Sequence, residues 1–298
     1  MADIILLDGF MQLYRANFKL SDLVTRNGQP TGMEYGFLKS LEALCREFKD
    51  DIIICWEGRN NFRYKIDSEY KANRREKRAK DAHKFLTPER INGFKKLLSM
   101  VAKTAVDDEL EADDIIASLA ERYCKTEPVT IYSGDKDLHQ LVRGKPFRVI
   151  QVRGFQWRKQ PWTVSRIKEK YHGLRPDQLA VYFAFVGDTI DNIPGAKRVR
   201  STLIGAAIYN GYKPKNLSNY ELFSGKEVFA LEEHYDSGRF QQNLELVTLR
   251  VKKDIVVRER NWQPDKVKEW LENMEIQTLK LCKECGGTES IIREDEDF

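Results

Sequence analysis

No segment of the 298 residues approaches the roughly 20 apolar residues needed to cross a bilayer, so a membrane protein of the helical kind is excluded. The first residues, MADIILLDG, carry no cationic leader and an apolar run of only four, so no secretory signal is expected. Cysteine is scarce and scattered, five in all, which excludes a disulfide framework and makes a reducing cytoplasm the expected compartment. Cys282 and Cys285 form a single CxxC without a second pair, too little for a zinc knuckle. Neither an internal repeat nor a low-complexity linker is evident, and the last residues, REDEDF, read as a solvated acidic tail. Net charge is also small, with 50 basic residues against 46 acidic ones leaving +4. At 41% hydrophobic and 32% charged, the chain is a polar globule, large enough for one α/β domain with a helical appendage.

Charge is present but segregated, and its distribution says more about partners than the total does. The stretch VTIYSGDKD, Val129 to Asp137, has a β-branched and aromatic run that turns through Ser133-Gly134 into Asp135 and Asp137. Ile4 to Leu7 likewise ends in Asp8, and Ile52 to Trp56 ends in Glu57. In an open α/β sheet, ligands bind outside the carboxyl ends of the strands, so these acids would gather on one rim. An Asp after a strand is more often a turn residue or helix cap. Four carboxylates at one rim repel unless a cation lies among them, and that convergence argues for metal.

From Gly58 to Lys84 the composition turns basic, ten Lys and Arg against four acids, a local charge of +6. Phosphate is the natural counter-charge, and the interleaved Phe62, Tyr64 and Tyr70 suit unpaired bases, although such a run is also compatible with a solvated helix face. A core-packing helix is expected from Pro88 to about Ala102. Next come six acids in eight residues, Asp107 to Asp114, opening an amphipathic helix; the helix dipole explains some of them, and metal ligation by Glu111, Asp113 and Asp114 the excess. A further strand is expected at Phe147 to Val152, after which the chain becomes more helical, with one more possible strand in Val247 to Val257. Within VGDTIDNIPGAKRVRSTLIGAAI, Asp188 and Asp191 are spaced as one helical turn, followed by Lys197, Arg198 and Arg200.

ILLDGFMQLYR, CWEG, FRYKIDSEYKANR, LEADDIIA, YSGDKDLHQL and VGDTIDNIPG resemble, in order, the signature blocks of the 5′ nuclease family, the flap endonucleases and 5′→3′ exonucleases of phages and of bacterial DNA polymerase I. Length, GDTIDNIPGAKRVR and the QQNLELVTL block are most similar to the ribonuclease H branch of T-even phages. The resemblance implies a parallel-sheet, PIN-like core over residues 1–180 with a basic helical arch at about 58–86, and a helical duplex-binding region at 181–298. It implies Mg2+-dependent phosphodiester hydrolysis leaving 5′-phosphate ends, with two ions and Mn2+ able to substitute. Asp8, Glu57, Glu111, Asp113, Asp114, Asp135, Asp137, Asp188 and Asp191 would build the metal site. Asp8, Glu111, Asp113 and Asp135 would stand nearer one ion, and Asp137, Asp188 and Asp191 nearer the other. Lys71, Arg74, Asp135 and Asp137 would carry catalysis, and Arg15, Arg63, Tyr70, Lys71, Arg74, Arg75, Lys77, Lys197, Arg198 and Arg200 would meet nucleic acid. Expected partners are branched or nicked duplex DNA, RNA–DNA hybrid and a replication protein such as a single-strand-binding protein, with a monomer and no membrane association. The compartment would be the host cytoplasm for a viral chain. Glu57 stands where the family pattern has Asp, and Arg198-Val199-Arg200 where it has a glycine-rich hairpin. Two other readings remain, a DNA-binding scaffold of this fold without catalysis and a PIN-type ribonuclease, which has fewer acids and no long basic arch.

Overall fold

The computed structural model describes residues 4–48, 52–74, 86–145, 149–152 and 161–276. Its first half runs β1 (Ile4–Asp8), α1 (Gly9–Lys19), α2 (Gly32–Phe48), β2 (Ile52–Trp56), α3 (Arg63–Ile66), α4 (Pro88–Val101), β3 (Lys103–Val106), α5 (Ala112–Tyr123), β4 (Val129–Tyr132) and β5 (Val149–Val152). The second half runs α6 (Val164–Lys170), α7 (Leu179–Val186), β6 (Gly187–Asp188), β7 (Ile193–Pro194), α8 (Ser201–Tyr209), α9 (Gly225–Asp236), α10 (Arg239–Val247), β8 (Val257–Arg258) and α11 (Pro264–Asn273).

Continuous Ile, Leu and Val runs form strands that are covered on both faces, the hallmark of parallel sheets. β1, β2 and β4 are buried along their whole length and lie at the centre of a sheet ordered β5-β4-β1-β2-β3-β8. All pairs are parallel except β3–β8, an antiparallel edge. Successive side chains alternate between faces. Ile5, Leu7, Ile52, Ile54 and Trp56 therefore pack against α1, α2, α4 and α11, while Ile4, Leu6, Ile53 and Cys55 pack against α5. A third core, with Phe183, Phe185, Ile204 and Phe240, joins α7, α8 and α10. β8 and α11, expected in the helical region, return instead to the sheet and its first core.

The sheet grows outward from β1 through β2 to β3, then resumes with β4 on the other side of β1. Such a reversal opens a crevice at the carboxyl ends of the two strands, the usual place for a ligand. Asp8 closes β1 and the Ser133-Gly134-Asp135 turn follows β4, so both border this crevice. Among the described residues, no helix is long and apolar enough to cross a membrane.

Candidate metal centre and nucleic-acid interface

Asp8 does two jobs. Its Oδ1 accepts the Met11 N–H at 2.9 Å, capping α1, and its Oδ2 accepts the Ser133 hydroxyl at 3.1 Å. Burial pushes its pKa up to about 6, with Asp135 and Glu57 adding repulsion. Asp113, in the first turn of α5, is pushed well above the usual carboxylate range by burial and then by Asp135 and Asp8. Asp8, Glu57 and Asp135, three of the four acids expected at one rim, do meet there, and Asp113 of α5 joins them. Asp135 is held by its own loop and by β5: Ser133 Oγ accepts its N–H at 3.1 Å, and Gln151 Nε2 of β5 donates to its carbonyl at 2.5 Å.

The second group comprises Asp137, Asp188 and Asp191, each offering a carboxylate oxygen within 4.8 Å of the others. Burial raises Asp137 to about 8, and Asp135, Asp191 and Asp188 contribute. Asp188 and Asp191 come not from a helix but from the hairpin β6–β7. Gly187 permits that hairpin: its φ is +75°, and a Cβ there would lie 2.3 Å from the Gly195 nitrogen.

Three cations lean into these acids. Lys71 Nζ is 2.6 Å from Glu111 and 3.8 Å from Asp191, Arg74 is 2.5 Å from Asp191, and Lys136 is 3.0 Å from Asp188. Burial alone would raise Glu111, but Lys71 and Arg63 outweigh it and leave its pKa below the ordinary value. Lys71 itself sits at φ 56° with its N–H bonded to the Asp191 carbonyl at 2.9 Å, so the backbone as well as the ammonium is fixed to the second group. Lys136 was not anticipated, although its place between Asp135 and Asp137 was a signal.

Several expectations need correction. Asp114 does not face the crevice; it is fully buried and takes both guanidinium arms of Arg63, at 2.5 and 2.9 Å. Arg63 is equally buried and is unavailable to nucleic acid. Tyr70 is buried too, and its hydroxyl donates to Glu111 at 3.1 Å, which makes it a strut under the acids rather than a base-stacking ring. Arg15 is half-buried on α1 beside Tyr132. Arg75, Lys77, Cys282, Cys285 and the acidic tail lie outside the described residues.

Lys197, Arg198 and Arg200 line a cavity of about 680 Å³ whose other wall is the start of α9, including Lys226 and the exposed ring of Phe229. Arg200 is committed: both arms bind Glu227 at 2.8 Å, and that carboxyl is held far below its ordinary range by Arg200 and by the Ser224 N–H.

The donors of the two acid groups are all oxygens, and several of them cannot lose their protons readily without added positive charge, which fits a hard divalent cation. The arrangement can hold such ions against a phosphate, with Lys71, Arg74 and Lys136 set among the acids.

Residues 3–172 match the family described as 5′-3′ exonuclease, N-terminal resolvase-like domain. The 5′-3′ exonuclease of Aquifex aeolicus (strain VF5) is 31% identical over 289 residues, 94% of each chain. Thermostable DNA polymerase I of Thermus aquaticus is 35% identical over 199 residues, 66% of this chain but only 22% of that protein. In fold, the chain is similar to a T5 5′-exonuclease solved with zinc, at a TM-score of 0.66, 20% identity, and 83% and 89% of the two chains covered.

Proposed function

Because the chain belongs to the 5′-3′ exonuclease family, we propose that it hydrolyses phosphodiesters near the 5′ ends of DNA strands, as exonuclease and flap endonuclease, with two divalent ions, Mg2+ foremost. The observation that carries this reading is the acid group Asp137, Asp188 and Asp191 beside the acids at the rim, with Lys71 spanning from Glu111 to Asp191 and Arg74 paired to Asp191. Asp8, Asp113, Asp135 and Glu111 would hold one ion, Asp137, Asp188 and Asp191 the other, with Glu57 at the margin of the first. Such ions supply Lewis acidity and lower the pKa of the attacking water.

The protein's own residues do the rest. Lys71 and Arg74 present charge where it develops on the transferring phosphoryl group, from a fixed position that costs no reorganisation during reaction. Lys136 and Tyr70 keep Asp188 and Glu111 oriented. Lys197, Arg198 and Lys226 grip the duplex backbone beyond the cleavage site, a sequence-independent contact that sets register. Nicked or branched duplex, and RNA–DNA hybrid of the kind left by primers, are the proposed substrates; a replication protein is the proposed partner, and products carry 5′-phosphates.

One labelled series of 5′ flap, nicked duplex, blunt duplex and hybrid, incubated with Mg2+, with Mn2+ and with chelator, tests the reading. Cleavage that starts at the 5′ side and stops with chelator supports it. Tight binding without cleavage in either metal would leave a DNA-binding scaffold in its place.

A further inference from the structure

Burying an ion pair rarely stabilises a fold more than apolar packing would, so a buried pair bonded on every side calls for another reason. Arg63 and Asp114 form such a pair. Beyond its two bonds to Asp114, Arg63 donates through Nε to the Leu246 carbonyl at 2.7 Å and through Nη2 to that of Thr248 at 3.2 Å. Asp114 accepts two backbone N–H groups as well, Glu111 at 3.1 Å and Arg250 at 2.8 Å.

The electrostatics explain the placement. Asp114 lies in the first turn of α5, where the helix dipole favours a negative charge, and Arg63 reaches carbonyls at the end of α10, where a positive one is favoured. The pair therefore joins the start of one helix to the end of another, far apart in sequence. The first helix carries acids of the candidate metal centre and the second supports the hairpin that carries others. Glu111 and Asp113 begin α5. In α10, Asn243 Nδ2 donates to the Ala184 carbonyl at 2.9 Å, in the last turn of α7 that leads into β6, and to the Pro194 carbonyl at 2.8 Å in β7, so it holds the hairpin that carries Asp188 and Asp191 to α7 and α10.

We propose that Arg63 and Asp114 are positioning residues that set the spacing between the two acid groups, by locking the start of α5 to α10 and, through Asn243, to the β6–β7 hairpin. The inference rests on the two-ion reading above. Neither residue is assigned to substrate or ion, although Arg63 Nη1 also lies 3.5 Å from Glu111 Oε2; both decide whether the two sites are correctly spaced together.

Mn2+ titration by calorimetry, with electron paramagnetic resonance of the loaded protein, is the test. The unmodified chain should take up two Mn2+ and show a spin-coupled spectrum. Arg63→Gln, checked for fold by near-ultraviolet circular dichroism, should bind the second ion about 10–100-fold more weakly and lose the coupling, the range found when groups that orient metal ligands are removed. A folded Arg63→Gln that only melts earlier, with isotherm and coupling unchanged, overturns the proposal. If Arg63→Gln fails to fold, hydrogen exchange on the unmodified chain decides: Mn2+ should slow the Glu111 and Arg250 amides together, since both donate to Asp114. Slowing at Glu111 alone overturns it. An unmodified chain that binds no pair of ions removes the two-ion reading and this inference with it, whereas paired binding in both proteins removes the inference alone.

Discussion

Replacing Lys71 by Ala separates the ion pair its ammonium makes from the catalytic task proposed for it. In the structure it lies 2.6 Å from Glu111 and is only 15% exposed, so its removal leaves a buried carboxylate short of a partner. Breaking such a pair costs about 3–5 kcal/mol in general. Glu111 keeps the Asn61 amide at 2.7 Å and the Tyr70 hydroxyl at 3.1 Å, and Asp191 keeps Arg74 at 2.5 Å, which puts the cost here near 3 kcal/mol or about 6–12 °C of melting temperature. A divalent ion replaces much of the missing charge. Mg2+ should therefore raise the melting temperature of Lys71→Ala by more than that of the unmodified chain. Catalysis should not recover, because the ammonium is lost from the side where phosphoryl charge develops; one such donor is worth about 100–1,000-fold in rate. Single-turnover cleavage of a 5′ flap at saturating enzyme reads the second effect, and melting with and without Mg2+ reads the first. Near-normal turnover, or equal Mg2+ shifts in the two proteins, would refute the reasoning.

Asp135→Asn should abolish cleavage while leaving duplex affinity largely intact, because affinity rests on phosphate contacts elsewhere; a gel-shift series with a rate measurement would expose an error. His234, whose Nε2 donates to the Ala184 carbonyl at 3.0 Å, has a pKa lowered chiefly by burial, which outweighs the opposing effect of that hydrogen bond and is aided by the charge of Arg239. The unfolded chain then binds the extra proton first, so stability should fall as pH drops below the ordinary histidine value near 6.5, at up to about 1.4 kcal/mol per pH unit, and His234→Gln should flatten denaturant midpoints measured over that window. Arg198→Ala should reduce the log-log salt slope of duplex binding by about 0.9, one neutralised phosphate, whereas Arg200→Ala should change it less because Glu227 already holds that guanidinium; equal slopes would contradict the geometry.

Strands β1, β2 and β4 were legible because each is an apolar run ending in an acid, and the rim they form needed only the rule for open sheets. β3 and β8 were not. Lys103–Val106 buries only Ala105 fully, and β8 has two residues, so neither carries a period from which a strand could be read. The acids of the hairpin were identified from their spacing but assigned to the wrong element, since a separation of three suits a helix and a tight hairpin equally; Gly187, with its positive φ, was the available signal. Arg63 offered none. It stands in a basic run that continues in sequence toward Arg74, and its decisive partners, the carbonyls of Leu246 and Thr248, follow it by 183 and 185 residues.

Asp114 was different, because helix geometry alone bears on it. Consecutive residues at a helix start point about 100° apart, so Asp113 and Asp114 leave the helix in different directions. The helix places Ile115, Ile116 and Leu119 in the core, and Asp114 is buried beside them on the inward side. An acid on that side is tenable only if a cation comes in to meet it and the remaining lone pairs find donors. Arg63 and the N–H groups of Glu111 and Arg250 meet both conditions. The three acids of LEADD therefore divide by face rather than by residue type: Glu111 and Asp113 join the acid cluster proposed to hold metal, and Asp114 fixes the helix that carries them.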